Sequence, residues 1–251
     1  MAEPAGYPQS RTAWALVGLL TVTYILSYAD RYALYLLVEP IKKDLGLSDT
    51  EMGWLIGPAF GVLYAVSGLF AGMLADRRSR TWIIAGGVAL WSTAMTACGL
   101  SRNFGQLFVA RMTVGVGEST LSPCAMSMIA DSFPPDRRGR PIALYSVSLS
   151  FGAGLSSLLG GLLLTWLSGI SAVSLPLLGE LAAWQLMFVM LGLPGLLLSL
   201  VFLNWPEPRR MVDDSVFGDA PVSLADTLGY MRSQWWGFLL VFGDRKSTRL
   251  N

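Results

Sequence analysis

The sequence contains no histidine. That removes the histidine proton relay, the Ser-His and Cys-His nucleophile pairs and most transition-metal sites. Charge is scarce as well. Only 14% of the 251 residues are Asp, Glu, Lys or Arg, against roughly 25% in an average soluble domain, so a surface built from this chain is too apolar for water. Neither sign dominates: 18 basic residues stand against 17 acidic ones, a net charge of +1. The basic residues sit in short clusters rather than a stripe, which offers no field for nucleic acid. Two cysteines, Cys98 and Cys124, both lie inside apolar runs and read as small core residues rather than a disulfide or metal pair. No phosphate-binding G-x-x-x-x-G-K-[ST] loop occurs, which argues against ATP-driven work. No cofactor and no metal is expected.

What the chain does have is length of apolar run. Six windows reach the roughly 20 residues that a bilayer-crossing helix requires: Trp14–Val38, Met52–Ala75, Thr81–Leu100, Phe104–Ala130, Pro141–Leu167 and Leu181–Trp205. Barrel strands would instead alternate over about 10 residues. Backbone groups in hydrocarbon must bond within their own segment, so helices follow. Met1 to Ser10 is too polar and too short for a secretory signal, so the first run stays as a helix. Trp14, Trp54, Trp82 and Trp205, near span ends, suit the bilayer interface.

This divides the chain into a cytoplasmic N-terminus at residues 1–12 and a six-helix bundle at 13–205. A cytoplasmic linker at 206–234 and an apolar start with a polar tail at 235–251 follow. In the linker Leu224, Leu228, Met231 and Trp235 recur at helical spacing, which predicts a short surface helix. The run from Trp235 to Phe242 stops after eight residues, too few to span. The expectation is a piece of a longer membrane protein, with 243–251 a scar of cloning or sequence assembly. Orientation follows from the basic residues. With the N-terminus in the cytoplasm, Arg11, Arg77, Arg78, Arg80, Arg137, Arg138, Arg140, Arg209 and Arg210 lie inside and Lys42, Lys43 and Arg102 outside, nine against three.

Four ionisable residues interrupt the apolar spans: Asp30 and Arg31 in the first, Arg111 and Glu118 in the fourth. Insertion scales charge roughly 2.5–3.5 kcal/mol for each at a helix centre, so four cost on the order of 10 kcal/mol, as much as the net stability of a whole domain. Buried pairs are weak stabilisers, since apolar replacements often do as well. A functional role is therefore the better reading.

Helical geometry groups them. At about 100° per residue, Tyr24, Ser27, Tyr28, Arg31 and Tyr35 form one polar and aromatic stripe, as on a wall facing a water-filled cavity. Asp30 lies about 100° to one side of it. In the fourth span Arg111, Gly115, Glu118, Ser122 and Ala125 share a face. Arg111 and Glu118 stand two turns apart, about 10.5 Å, too far for an easy mutual bridge. A crossed pairing of Asp30 with Arg111 and Arg31 with Glu118 is expected. In such a place desolvation favours the neutral acid and a nearby guanidinium favours the anion. A small change of geometry between them can load or release a proton, while a cavity-facing arginine can hold a carboxylate or phosphate.

The second span carries Gly57, Gly61, Gly68 and Gly72, and the fifth Gly152, Gly154, Ser156, Ser157, Gly160 and Gly161. Small-xxx-small spacing of this kind reads as close helix packing. Pro58, Pro123 and Pro194 allow bending within spans. Two loops repeat a pattern, Asp76-Arg77-Arg78-Ser79-Arg80 and Asp136-Arg137-Arg138-Gly139-Arg140. Topology explains the arginines alone. A carboxylate at the same place in both suggests a latch against neighbouring basic loops.

These residues resemble the major facilitator superfamily. Gly72 to Arg80 is similar to its G-x-x-x-D-R-x-x-R loop, with Arg78 or Ser79 where a glycine is common. Arg111 to Glu118 matches R-x-x-x-G-x-G-E, and Asp30-Arg31 matches an Asp-Arg pair. With Ser122-Pro123, Ile129 to Pro135 and Tyr145-Ser146, the chain resembles the bacterial spinster-like branch over about residues 12–210. The anion:cation symporter branch shares the Asp-Arg and R-x-x-x-G-x-G-E elements and is the alternative. The resemblance implies an all-α integral membrane fold in which this chain is the N-terminal half, a 3+3 inverted repeat cut near the start of helix seven. It implies a multi-pass place in the cell (inner or plasma) membrane and a proton- or ion-coupled carrier of a small amphiphilic or anionic solute, the branch being associated with lysolipids. Asp30 and Glu118 would be the coupling carboxylates, with Arg31, Arg111, Tyr24, Tyr28, Tyr35 and Ser122 as charge partners or substrate contacts. Gly72, Asp76, Arg77, Arg80, Asp136, Arg137 and Arg140 would form a cytoplasmic gate. The partners would be the solute, the coupling ion, the bilayer and a missing C-terminal half. A membrane-embedded enzyme would need clustered nucleophile, base or metal ligands, which the spans lack. A non-transporting scaffold has no use for charges inside the membrane.

Overall fold

Apolar runs become helices in hydrocarbon, and prolines decide where those helices break. A proline lacks the N–H that bonds the carbonyl four residues back, and its ring crowds that carbonyl. The first helix, α1 (Ser10–Leu36), ends at the residue four before Pro40, and α2 (Val38–Leu45) follows after Leu37. Gly46, at φ 64°, closes α2 in the left-handed conformation that glycine adopts without penalty. Ser48 and Glu51 then cap α3 (Asp49–Ile56) reciprocally, with the Ser48 amide donating to Glu51 Oε2 at 2.8 Å. Pro58 separates α3 from α4 (Pro58–Arg77) at Gly57.

Next come α5 (Arg80–Gly99), α6 (Phe104–Glu118) and α7 (Leu121–Ser132). A 3-10 turn at Pro135–Arg137 leads to α8 (Gly139–Leu167), and α9 (Ala183–Leu203) closes the bundle. The computed structural model describes residues 7–167, 172–175, 179–211, 229–230 and 232–237. Among these, five helical segments are long and apolar enough to cross a membrane. The fourth window is split into α6 and α7, each too short alone. Ser119 and Thr120 between them keep helical dihedrals, and Pro123 leaves the Ser119 carbonyl without its helical partner. A hairpin of β1 (Ala172–Leu175) and β2 (Gly179–Ala182), antiparallel with Ala172 opposite Ala182, joins the last two spans. It was not foreseen from the apolar pattern.

The helix pairs follow a rule. α1 packs on α8, α4 on α6, α5 on both α6 and α9, and α1 on α9. Counting spans one to six, this set maps onto itself when each span is exchanged with the one three places on. An odd shift reverses helix direction, so the pattern is that of an inverted 3+3 repeat. The core holds Leu16, Leu20, Leu34, Val88, Trp91, Met95, Val114 and Phe188, while Leu69, Phe70, Trp82, Val109, Phe151 and Leu197 face outward. Large apolar side chains on the outside are what a bilayer solvates.

The close approaches do not all fall where small-residue spacing suggested. A methyl added at Gly117 would stand 2.7 Å from the Gly87 carbonyl oxygen and from the Trp91 amide nitrogen. Here α5 and α6 touch backbone to backbone. In the second span, a methyl at Gly61 or Gly72 would meet nothing within 4 Å, so those glycines are unused by this bundle. On the fifth, Gly152 and Gly160 press on Tyr28 and Leu36 of α1.

The chain divides into two units, Met1–Arg210 and Met211–Asn251. In the second, described residues at 229–230, 232–233 and 235–237 are helical. Leu224, Leu228 and Met231 of the expected surface helix, and the tail 243–251, lie outside the described residues.

Gly117→Ala is expected to lower stability by about 1–3 kcal/mol, because backbone atoms on both sides must shift. Gly61→Ala is expected to be neutral or to gain up to about 1 kcal/mol of helix propensity. Thermal unfolding of the detergent-solubilised protein measures both.

Candidate functional site

The α1 stripe faces a cavity of about 450 Å³ lined by Tyr28, Arg31, Tyr32 and Tyr35 of α1, Ile56 and Phe60 from the second span, and Arg111 of α6. Gly115 lets α6 come this close: a methyl there would stand 2.7 Å from the Phe60 carbonyl oxygen. Glu118 follows one turn later on the same face and is almost fully buried. Its Oε2 accepts from Arg31 Nε at 2.6 Å and from Ser27 Oγ at 2.7 Å. One half of the expected crossed pairing is therefore present, joining the first span to the fourth.

Rings surround the rest of the Arg31 guanidinium. Its carbon lies 4.7 Å from the Phe60 and Tyr64 ring centroids and 5.2 Å from that of Tyr28. Aromatic faces attract a cation most where water is excluded. Phe60 is shared, since the Arg111 guanidinium carbon is 5.5 Å from the same centroid.

The other half of the pairing is not formed. Among the described residues Asp30 and Arg111 make no ion pair. Both Asp30 oxygens, and Nε and Nη1 of Arg111, are buried without a hydrogen-bond partner. The reason is angular. Asp30 points a quarter turn from the stripe, toward Trp91 of α5, while Arg111 is turned over Phe60. The two remain near enough to feel one another's charge.

Tyrosines continue the wall. Tyr24 and Tyr28 meet edge to face at 5.2 Å, Tyr28 and Tyr32 at 6.5 Å, and Tyr32 and Tyr35 at 5.9 Å. Tyr24 also stacks on Tyr145 of α8 at 4.9 Å. Tyr35 is 55% exposed. Half-buried Ser122 lies beside Tyr145 rather than in the lining of the cavity. Tyr32, Phe60 and Tyr64 escaped the sequence reading, and Tyr145 entered it only as part of the family resemblance. Phe60 and Tyr64 do stand one helical turn apart, but nothing in an apolar helix says which aromatics meet a cation on another span.

At the end of the bundle bearing the arginine clusters, the expected latch is built differently. Asp76, Arg77, Asp136 and Arg140 are exposed, and among the described residues Asp136 pairs with its neighbour Arg137 alone, at 3.6 Å. A methyl at Gly72 meets nothing. Arg80 alone of the set is buried, and it is completely so. Its Nη1 donates to Ser127 Oγ at 2.8 Å and to Asp131 on α7. Nε donates to Glu207 Oε1 at 2.9 Å and Nη2 to the Pro208 carbonyl at 2.8 Å.

Glu207 and Arg210, read as linker, strap the loop between α4 and α5. Glu207 accepts from the Arg80 amide at 2.9 Å, at the positive start of α5. Arg210 Nη2 donates to the Ala75 and Arg78 carbonyls at 2.6 and 2.7 Å, at the negative end of α4. Each charge thus opposes the helix end it caps. Pro206–Arg210 accordingly belongs with the bundle rather than trailing from it. Burial alone would raise the Glu207 carboxyl, but hydrogen bonds from Ser79 and from the Arg80 amide and guanidinium outweigh it and hold it below its usual value.

The chain belongs to the major facilitator superfamily, whose family model matches residues 20–243. It is 34% identical over 229 residues to an MFS-type efflux pump of Mycolicibacterium smegmatis, covering 91% of this chain and 48% of that protein. It is 27% identical over 246 residues to a probable L-galactonate transporter of Escherichia coli, covering 92% and 50%. A crystal structure of a bacterial homolog to the human lysosomal transporter Spinster, inward-facing and unoccupied, superposes with a TM-score of 0.75 at 31% identity, covering 90% of this chain and 50% of the other. The chain thus spans about half the length of the relatives it matches, is spinster-like, and has the helical fold of a membrane transporter half rather than of an enzyme.

Arg80→Met removes a buried guanidinium from between Asp131 and Glu207 and is expected to cost about 3–5 kcal/mol. Glu207→Gln is expected to cost about 1–2 kcal/mol at neutral pH. The sign of its pH dependence follows from the lowered carboxyl: its contribution is complete above the ordinary glutamate range and fades as pH falls through the lowered value. Melting curves of parent and Glu207→Gln protein should therefore converge in acid. A gap independent of pH would contradict the clasp.

Proposed function

We propose that the intact protein is a secondary active transporter working by alternating access, coupled to a proton or another ion and carrying a small amphiphilic or anionic organic solute such as a lysolipid. The observation that carries this reading is the group of Asp30, Arg31, Arg111 and Glu118 inside an apolar bundle: the two arginines line one cavity, Glu118 bonds Arg31 behind it, and Asp30 is fully buried beside them. Two positive and two negative charges balance there, so a proton arriving on either carboxylate leaves a guanidinium unmatched. An anionic head entering over Phe60 restores the balance. Coupling lies in that shared account of charge.

In this reading Asp30 and Glu118 carry the proton. Arg31 and Arg111 hold the acidic group of the solute, with Tyr24, Tyr28, Tyr35 and Ser122 along its path. The ring-lined wall suits the apolar or carbon-hydrogen part of such a molecule. A sugar-acid or other organic-anion symporter is the second reading, favoured by two guanidiniums sharing one ring beside three tyrosines. A non-transporting scaffold leaves four buried charges without a purpose.

The solute path requires a second six-helix half. The open faces of α4 and α8, with Gly61, Gly72, Gly154 and Gly161 unengaged, support packing by such a partner. The basic residues near the span ends support a cell-membrane protein with its N-terminus in the cytoplasm. Of the expected linker, residues 211–234 then join the halves from the cytoplasmic side, Pro206–Arg210 being held to the bundle. The loop of Gly72, Asp76 and Arg77, held by Arg80, then serves as the cytoplasmic gate, with Asp136, Arg137 and Arg140 beside it.

Asp30→Asn and Glu118→Gln in the intact protein are each expected to reduce pH-gradient-driven uptake into proteoliposomes to the level of protein-free vesicles, compared at equal amounts of folded, reconstituted protein. Lysolipids and organic anions are the solutes to screen. Normal accumulation in both variants would remove the coupling role.

A further inference from the structure

A second cleft, of about 550 Å³, opens on the outer side of the bundle between α4 and α5, away from the charged cavity. Leu74, Ile83 and Gly86 form its walls, Thr120 its floor, and Arg78 and Trp82 its mouth. It lies at the end of the spans that carries the arginine clusters. Trp82 is 64% exposed, at the start of α5, where an amphipathic ring sits in the headgroup layer.

The geometry points to a binding site for one anionic phospholipid of the adjoining leaflet, its phosphate on Arg78 and an acyl chain along Leu74, Ile83 and Gly86. Three observations carry this. Arg78 is exposed and its guanidinium makes no hydrogen bond or ion pair among the described residues, whereas its neighbours Arg80 and Arg210 are committed to the clasp. Glu207, the acid that reaches the cleft through Ser79, is already matched by Arg80. The loop's remaining acid, the exposed Asp76, is outnumbered by Arg77 and Arg78, so the mouth keeps a net positive charge. Third, a side chain added at Gly86 meets no atom within 4 Å, so open space continues past the ring of Trp82. A larger groove of about 690 Å³ between α5 and α6 is lined by Leu90, Ala94 and Val109 together with the uncharged polar Thr93, Gln106 and Thr113, and has no charged side chain in its lining. That groove takes any acyl chain and reads no headgroup.

Native mass spectrometry of the intact protein, offered phosphatidylglycerol and phosphatidylcholine of the same chain length, tests this. One tightly held lipid is expected, with phosphatidylglycerol favoured about fivefold, the factor that one interfacial arginine supplies. Arg78→Gln should bring the two lipids to parity, while Arg77→Gln, one residue away and outside the cleft, should leave the preference intact. Gly86→Leu should fill the cleft and remove the tightly held lipid, and Gly105→Leu, in the uncharged groove, should not. A preference that survives Arg78→Gln, or a lipid retained in Gly86→Leu, would overturn the site.

Discussion

The contact between Arg31 and Glu118 is the constraint around which the bundle is arranged. It joins the first span to the fourth, the two that exchange under the inverted repeat, so it lies where the two three-helix units meet. In a medium of low dielectric such a pair survives only if both partners find further contacts. Glu118 has Ser27 as a second donor, and three rings take the place of water around the guanidinium. Removing a partner would leave a bare charge in hydrocarbon. This explains why Gly115 precedes Glu118 by one turn: any side chain there would push α6 off Phe60 and lengthen the bridge.

The buried arginine at the far end obeys the same rule with different means. Arg80 is fully enclosed but lies near the end of the span, so Ser127, Asp131, the Pro208 carbonyl and the Glu207 carboxylate replace the aromatic box. Both networks draw on the fourth span, Glu118 from the last residue of α6 and Asp131 from near the end of α7. The proline break at Ser119 and Thr120 lies between them. Each network is fixed to its own short helix, and the span is continuous only in direction.

Most of the architecture was legible because hydrocarbon forces it. Six apolar windows had to be helices, and charges within them had to face inward. The partner of Glu118 followed from helical angle alone, since Arg31 and Glu118 each lie on the polar stripe of their span. The same reasoning failed for Asp30 and Arg111. An angle places a residue on a face but does not say that Phe60 will compete for the guanidinium. The repeated Asp-Arg-Arg loops did not reveal the partners of Arg80. Their aspartates are exposed, and the acids that hold Arg80, Asp131 and Glu207, come from segments 51 and 127 residues away. No local pattern marks such a meeting. The glycines of the second span show the converse limit, because spacing reveals capacity for close packing without naming the partner.

The division among helices follows from these contacts. α5 and α9 cross at Gly99, Gly192 and Gly195, where added methyl groups would strike the opposing helix. Neither has a charged residue within its apolar body, since Arg80 is at the first position of α5. They form the rigid part. α1 and the second span bear the polar wall, and α4 and α8 leave much of their surface open. Tight packing permits no water-filled space. The cavity, with unsatisfied Arg111 atoms at its edge, therefore lies on the loosely enclosed side, whereas Asp30 is sealed behind it against Trp91 of α5.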